Sequence, residues 1–176
     1  MASRMHLKDF VNIEAKDKQK ALKVGIFSDK DSFFFKEKIG IFLDTRWTSL
    51  YDLGPSRIDQ HKDILKMADK MAEAISVGKL EYGIALLNEN YEIMNVLFNK
   101  YKNVRAIFAV DEDYIVNSRR RFNANILIVK NNSITVDTNI RGYEKEVKLF
   151  LETEFDEEDE ESDKLLKMIS NVENKI

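Results

Sequence analysis

The 176-residue sequence contains no cysteine, one proline, six glycines and two histidines. The absence of cysteine excludes disulfide bonds, iron–sulfur clusters, cysteine zinc sites and a cysteine nucleophile. His6 and His61 are too few for a multi-histidine metal centre. No apolar run approaches the roughly 20 residues of a membrane span, and the first residues lack the apolar core of a signal peptide. We therefore expect a cytoplasmic protein with no metal, no cofactor and no membrane partner.

Acidic side chains are concentrated in residues 152–163, a segment that we call the acidic belt. The belt holds nine of the 31 Asp and Glu residues and no Lys or Arg, so the rest of the chain is mildly basic. Such a segment is typical of a solvated loop or helix start, and it also fits a docking site for a basic partner or an internal shield over the basic body. The sequence pI of about 5.6 argues against nucleic acid as a partner.

Strand-like apolar runs alternate along the chain with helix-like stripes. Strands are predicted at 23–27, 47–54, 82–87, 104–110 and 125–129, and a short hairpin arm at 133–140. Helices are predicted at 31–44, 59–78, 91–101, 111–122, 143–155 and 163–176. The strand runs are too continuous for burial on one side only, which indicates a parallel sheet covered by helices on both faces.

The chain divides into three parts by composition. Residues 1–22 are polar and rich in lysine, with a weak helical stripe, and are interpreted as an N-terminal extension. Residues 23–155 hold the alternating strands and helices of the predicted domain. Residues 156–176 form an acidic segment followed by a C-terminal helix. The extension and the acidic belt are the two predicted surfaces for partner contacts.

Ligands of parallel sheets bind beyond the carboxyl ends of the strands. The polar residues that follow the first and third predicted strands are therefore candidates for ligand contacts: Asp29, Lys30, Asn88, Glu89 and Asn90. No glycine lies between Gly83 and Gly142, so the middle of the sheet lacks a glycine-rich phosphate loop. Glu89 is either a catalytic carboxylate or a residue that stabilises a helix start. The charged pair at 29–30 is either a substrate contact or an exposed turn.

The one dense basic cluster is Arg119-Arg120-Arg121, at the end of a predicted helix. Arginine forks bind phosphate and carboxylate groups well. Basic residues also balance the dipole at the carboxyl end of a helix, which is the more common reason for finding them there.

Four stretches, in this order and spacing, carry a resemblance to a known family: "KVGIFSDKDSFFFKEKIGIFL", "YDLGPSRIDQHKDILKMADKMAEAISVGK", "YGIALL" through "FNKYKNVRAIFAVD", and "RRRFNANILIV". From residue 23 to about 176, the chain resembles the ribose-5-phosphate isomerase B and galactose-6-phosphate isomerase family. The resemblance implies a three-layer α/β/α Rossmann-like (flavodoxin-like) domain with a mainly parallel sheet of about five strands. It also implies a dimer or larger oligomer, with an active site built across a homodimer interface.

The resemblance implies an aldose–ketose isomerase, but the residues that carry this chemistry have changed. Active members open the sugar ring with a histidine, and they move a proton with a cysteine or, in some members, a glutamate. Here Leu87 stands at the cysteine position, residues 88–90 replace a Gly-Thr-Gly loop, and Arg121 stands at the histidine position. Arginine does not exchange protons near neutrality. Two phosphate-binding arginines fall on Asp159 and Asp163, whose charges repel a phosphate.

Some family positions are retained. Asp29 keeps the aspartate of the first turn, and Asn99, Lys100 and Arg105 keep a segment around the third helix. The resulting candidates for catalysis are Asp29, Glu89 and Arg121. The candidates for ligand binding are Lys30, Asn88, Asn90, Asn99, Lys100, Arg119 and Arg120.

Three hypotheses follow from the sequence. In the first, the protein is a non-catalytic homologue that acts as a structural or binding subunit of a homo- or hetero-oligomer. In the second, it is an active isomerase with relocated groups, in which Glu89 or Glu92 is the base and Lys30 or Arg121 binds the phosphate. In the third, the old pocket binds a different small ligand, such as a nucleotide or a cationic metabolite.

Overall fold

The computed structural model describes residues 5–6, 21–44, 48–131 and 140–175. Within these residues a sheet of parallel strands is covered by helices on both faces. The strands are β1 Met5–His6, β2 Leu22–Ser28, β3 Thr48–Asp52, β4 Tyr82–Leu87, β5 Ala106–Phe108 and β6 Ile126–Lys130. The helices are α1 Phe33–Asp44, α2 Ile64–Ser76, α3 Tyr91–Phe98, α4 Glu112–Phe122, α5 Ile140–Glu152 and α6 Glu160–Glu173.

The strand order across the sheet is β1-β3-β2-β4-β6-β5, and every pairing is parallel. Strand β3 lies on one side of β2, and β4, the next strand in the chain, lies on the other side. The strand order therefore reverses between β2 and β4, and such a reversal opens a crevice at the carboxyl ends of the two strands. The predicted three-layer parallel fold is confirmed, with β1 as a two-residue addition at one edge.

Two apolar cores lie on opposite faces of the sheet. One core packs α2 and α3 against the sheet, and the other packs α1, α4 and α5 against it. The central strand β4 is buried along nearly its whole length because helices cover both of its faces. The last helix, α6, lies outside these layers and packs mainly on α4.

Two glycines on neighbouring strands let α2 approach the sheet closely. Gly25 and Gly83 are direct partners in the β2–β4 register. A Cβ at Gly83 would lie 2.5 Å from the Met71 Sδ, and one at Gly25 would lie 2.7 Å from a methyl group of Leu80. A larger side chain at either position would have to displace Leu80 or Met71 from the core, so these glycines serve packing rather than a turn.

The structure corrects several predicted boundaries. Helix α2 begins at Ile64 rather than at residue 59, because the Asp63 carboxylate accepts the backbone N–H groups of Leu65 and Lys66 and caps the helix there. Helix α3 ends at Phe98 rather than at residue 101, and α6 begins inside the acidic belt.

Two of the predicted segments lie partly outside the described residues. Within the N-terminal extension, Met5–His6 pairs with β3 as a strand, and residues 7–20 lie outside the described residues. The hairpin arm predicted at 133–140 also lies outside them, except that residue 140 begins α5.

Arg119 is buried although it belongs to the basic cluster. Its side chain is 2% exposed, and its guanidinium stacks over the ring of Tyr82 at 4.8 Å. It donates hydrogen bonds to the carbonyl oxygens of Thr153 and Ala124 at 3.1 and 2.5 Å and to the side-chain oxygen of Asn123 at 2.7 Å. Burial lowers the pKa of this guanidinium. Arg119 thus ties α4 to the end of α5.

We predict that Arg119→Ala lowers the free energy of unfolding by about 3 kcal/mol, because it leaves several buried acceptors without a donor. Arg120→Ala is the matched control, since Arg120 is the exposed neighbour on the same helix, and we expect it to change stability by less than about 0.5 kcal/mol. Urea denaturation of both variants measures the difference. Equal effects would contradict a structural role for Arg119.

Candidate functional site

A cleft of about 270 Å³ lies at the carboxyl ends of β2, β3 and β4, where the strand order reverses. Three short segments after these strands and the start of α2 form its walls. Its lining residues are Ser28, Asp29, Lys30, Asp31, Pro55, Gln60, His61, Lys62, Ile64, Met67, Glu89 and Asn90. The cleft is the position at which sheets of this topology bind ligands.

Asp29 connects the two sides of the cleft. One of its carboxylate oxygens accepts the backbone N–H of Ser32 at 2.9 Å, just before α1 begins. The other oxygen accepts the backbone N–H groups of Asn88 and Glu89, at 2.5 and 3.1 Å. One carboxylate therefore satisfies three backbone donors and fixes the loop after β4 against the loop after β2.

The loop after β4 presents its side chains to the cleft and its N–H groups to Asp29. Asn90 adopts a left-handed conformation with φ of 58°, which lets the chain turn directly into α3. Glu89 is exposed, and its carboxylate has no partner among the described residues. Leu87, the last residue of β4, is completely buried in the apolar core.

A buried ion pair supports the wall of the cleft formed after β3. The Lys36 ammonium lies 2.5 Å from the Asp52 carboxylate and 2.8 Å from Glu37, and its side chain is fully buried. The second oxygen of Asp52 accepts the backbone N–H of Gly54 at 2.9 Å. A Cβ at Gly54 would lie 3.0 Å from the Lys36 side chain, so this turn sits directly on the lysine. The ion pair thus holds the chain where it leaves β3.

Lys62 completes this wall from the other side. Its ammonium donates to the carbonyl oxygens of Gly54 and Leu53, at 2.5 and 3.4 Å. Burial lowers the pKa of Lys62, and the nearby positive charge of Lys36 acts in the same direction, while Asp52 opposes the shift. The ammonium of Lys62 is therefore occupied by backbone carbonyls although it lines the cleft.

The structure brings together only part of the predicted candidate set. Asp29, Lys30, Glu89 and Asn90 line one cleft, and Asn88 hydrogen-bonds to Asp29 beside it. Sequence reasoning missed His61, Lys62 and the ion pair beneath them. A weak signal for the ion pair is present in the sequence, because Lys36 falls within the apolar stripe of a helix, where a lysine needs a buried partner.

Asn99 and Lys100 lie at the other end of the sheet, before β5. The Asn99 side chain accepts the backbone N–H of Ala106 at 2.9 Å and donates to the Ala106 carbonyl at 3.1 Å, which holds the start of β5. Lys100 is exposed and lines a separate groove of about 830 Å³ between residues 99–105 and α6. Their prediction as ligand-binding residues finds no support in the geometry of the cleft.

The arginine cluster also lies away from the cleft. Helix α4 runs from the carboxyl end of the sheet to its amino end, a length of roughly 16 Å for eleven residues. Arg121, at the far end, forms an ion pair with Glu161 at 3.3 Å. Arg120 is exposed and its carbonyl accepts the backbone N–H of Asp156. Within one protomer, therefore, none of the three arginines reaches Asp29 or Glu89.

The aspartates at the implied phosphate-binding positions have local roles in α6. Asp159 caps the helix by accepting the backbone N–H and the hydroxyl of Ser162. These hydrogen bonds, and the charge of Arg121 nearby, lower the pKa of Asp159. Asp163 pairs with Lys167 at 2.5 Å, one helical turn away. Most residues of the acidic belt are exposed, and the belt contains the start of α6, which agrees with its interpretation as a solvated helix start.

Within the described part of the chain, no group of three or more His, Asp or Glu side chains is arranged to hold a metal ion. No helix within residues 21–44, 48–131 and 140–175 is long and apolar enough to cross a membrane.

Comparison with known proteins gives a family and several solved structures. A sequence model of the family described as ribose/galactose isomerase matches residues 24–169. Ribose-5-phosphate isomerase B from Mycoplasma genitalium, solved with bound ribulose-5-phosphate, is 23% identical; the match covers 90% of this chain and 100% of that chain, with a TM-score of 0.77. No curated protein gives a significant match.

Two other solved structures are similar to the same degree. Type B ribose 5-phosphate isomerase from Trypanosoma cruzi is 22% identical, with coverage of 88% of this chain and 98% of that chain and a TM-score of 0.76. Ribose-5-phosphate isomerase B from Clostridium thermocellum is 25% identical, with coverage of 88% and 99% and a TM-score of 0.73. These similarities establish the fold over nearly the full length of each relative.

We predict that Asp29→Asn lowers the free energy of unfolding by about 2 kcal/mol, because an amide accepts hydrogen bonds less strongly than a carboxylate and directs its own N–H groups at backbone donors. Asp31→Asn is the matched control, because Asp31 is exposed and its side chain makes one hydrogen bond among the described residues, to the Asn88 side chain at 3.5 Å. Denaturant unfolding of the two variants tests this. A loss of similar size in both would show that Asp29 does not hold the cleft together.

Proposed function

The chain belongs to the ribose/galactose isomerase family, and from this membership and the chemistry of the cleft we propose that it is a non-catalytic member that acts as a structural or binding subunit of an oligomer. One observation carries the proposal. The backbone N–H groups of Asn88 and Glu89, in the loop that the family resemblance assigns to anion binding, both donate to the chain's own Asp29. A substrate anion would have to displace a carboxylate that is already bound there.

The position implied for the proton-transfer base supports the same proposal. Leu87 has no titratable group, and its side chain is buried in the apolar core rather than directed at the cleft. Arg121, at the position implied for the ring-opening histidine, keeps its proton near neutrality and is paired with Glu161. The expected base for proton transfer and the expected histidine for ring opening are thus both absent from these positions. A single compensating change would not replace both groups.

The positions implied for phosphate binding also support the non-catalytic proposal. Asp159 and Asp163 put two negative charges where the resemblance implies two arginines, and the contacts of both residues are within α6. A phosphate at this position would meet repulsion instead of a cationic clamp. Three independent parts of the implied site have therefore changed in the direction that removes isomerase activity.

An oligomeric role fits the distance between the two halves of the implied site. The cleft lies at the carboxyl ends of the strands, and Arg121 lies at the other end of α4. A site that contains both halves must combine two copies or two related chains, so we propose a homodimer or a hetero-oligomer with a related subunit. The exposed part of the acidic belt and the N-terminal extension are proposed as additional partner surfaces.

The second candidate function is an active isomerase with a relocated base. The observation in its favour is Glu89, an unpaired carboxylate among the described residues that lines the cleft beside Lys30. In this candidate function Glu89 or Glu92 moves the proton, and Lys30 contacts the phosphate.

The experiment that separates the two candidates is an isomerase assay with ribose 5-phosphate and galactose 6-phosphate, together with mass by light scattering on the same sample. We expect a well-folded dimer with no turnover above background. Glu89→Gln and Glu92→Gln are assayed beside Glu154→Gln, an exposed glutamate outside the cleft. Turnover in the parent protein would overturn the non-catalytic proposal, and its loss in either of the first two variants but not in the third would identify the base.

A further inference from the structure

The cleft suits a molecule smaller than those bound by most ligand pockets. Its volume of about 270 Å³ lies just below the range of roughly 300–1,000 Å³ that is usual for drug-sized ligands. Part of its surface is apolar, formed by Pro55, Ile64 and Met67, and the rest is polar. A compound with a chain or ring of five or six carbons matches this size.

The groups that could bind an anion in the cleft already have partners within the chain. The N–H groups of Asn88 and Glu89 donate to Asp29, and the ammonium of Lys62 donates to the carbonyls of Gly54 and Leu53. The cation that remains is Lys30, which has no partner among the described residues. A phosphate group in the cleft would therefore find one lysine and two carboxylates, those of Asp31 and Glu89.

A cationic ligand is attracted by Asp31 and Glu89 and repelled by Lys30, which lies between Asp29 and Asp31 in the chain. The cleft thus presents two exposed carboxylates and one exposed ammonium. This arrangement disfavours an anion, while the ammonium of Lys30 offsets much of the attraction for a cation.

The free polar groups combine acceptors with donors. Glu89 and Asp31 accept hydrogen bonds, Lys30 donates them, and Asn90 and His61 can do both. A hydroxyl group is also both donor and acceptor. A molecule with several neighbouring hydroxyls can therefore satisfy the carboxylates and the ammonium together, while its carbon frame contacts the apolar part of the cleft.

We propose that the cleft binds a small, uncharged, polyhydroxylated molecule, such as a free pentose or hexose or the corresponding polyol, in preference to a phosphorylated sugar. This inference rests on the proposed role as a non-catalytic binding subunit and names the ligand class of the same site. Glu89 and Asp31 accept the ligand hydroxyls, Lys30 donates to them, and Asp29 excludes the anion by occupying its donors.

The test is an NMR titration of the full-length protein with two matched pairs of probes. The first pair is D-ribose and ribose 5-phosphate, and the second is D-glucose and D-glucosamine. We expect dissociation constants in the millimolar range for the neutral sugars, as is usual for ligands with few atoms. Ribose 5-phosphate should bind at least about fivefold more weakly than ribose, and glucosamine should bind no more tightly than glucose. The shifted amide signals should belong to residues 29–31 and 88–90.

The variants of this test are chosen to separate binding from folding. Glu89→Gln should weaken ribose binding about tenfold, because it replaces a charged acceptor on an exposed side chain. Glu154→Gln, at an exposed position outside the cleft, should leave the affinity unchanged. Because Glu89 makes no side-chain contact among the described residues, its variant is expected to fold normally, and the dispersion of the amide signals checks this.

Several results would overturn the inference: tighter binding of ribose 5-phosphate than of ribose, tighter binding of glucosamine than of glucose, no shift with ribose up to about 100 mM, or equal ribose affinity in Glu89→Gln and the parent protein. The isomerase assay decides the proposed function separately. A preference for ribose 5-phosphate without turnover would remove this inference and leave the non-catalytic role standing. Turnover of any phosphorylated sugar would remove the proposed function whatever the order of affinities.

Discussion

The carboxylate of Asp29 is the interaction on which the functional end of this molecule depends. It accepts three backbone N–H groups, one before α1 and two after β4, and so joins the two strands between which the strand order reverses. In an open parallel sheet, the loops that follow the strands contain backbone N–H groups with no partner in the sheet. A side chain that satisfies them makes the junction rigid, and it also decides what else can bind there.

The same principle recurs at the other end of the domain. The basic end of α4 meets the acidic start of α6, where Arg121 pairs with Glu161 and Asp159 caps the helix. At both ends, charged or donor groups suited to an anionic ligand are matched by carboxylates of the chain itself. These carboxylates therefore neutralise, within one chain, positive groups at both ends of the described domain.

The fold was largely predictable from the sequence, because local pattern and tertiary environment agree. Strand β4 was predicted at 82–87 and lies at those residues. A short apolar run between turn residues is typical of a buried strand in a parallel sheet. The family resemblance is confirmed as well. The predicted start of α2 was wrong, because residues 59–63 are polar at every position and hydrophobic periodicity could not locate the cap at Asp63. Boundaries of this kind depend on single hydrogen bonds rather than on pattern.

The site was predictable only where chain position alone determines it. Asp29, Lys30, Glu89 and Asn90 were found because they directly follow strands of a parallel sheet. The partners of Lys36, Asp52 and Lys62 could not be predicted, because each partner lies elsewhere in the chain; the sequence shows only that Lys36 falls within an apolar stripe. Arg119 was predicted to bind a ligand and is instead buried against Tyr82, since a sequence does not show which member of an arginine run faces inward.

The edges of the sheet limit how copies of this domain can associate. Among the described residues, one edge is the two-residue strand β1 beside residues 48–50 of β3, which β1 does not pair with, and the other edge is the three-residue strand β5. Strands this short offer few free backbone groups for pairing with a neighbouring chain, and short edges are a known protection against edge-to-edge aggregation. Among the described residues, helices and loops therefore offer more surface for association than the strand edges do. Contacts of that kind are made by side chains, which can diverge from one relative to the next.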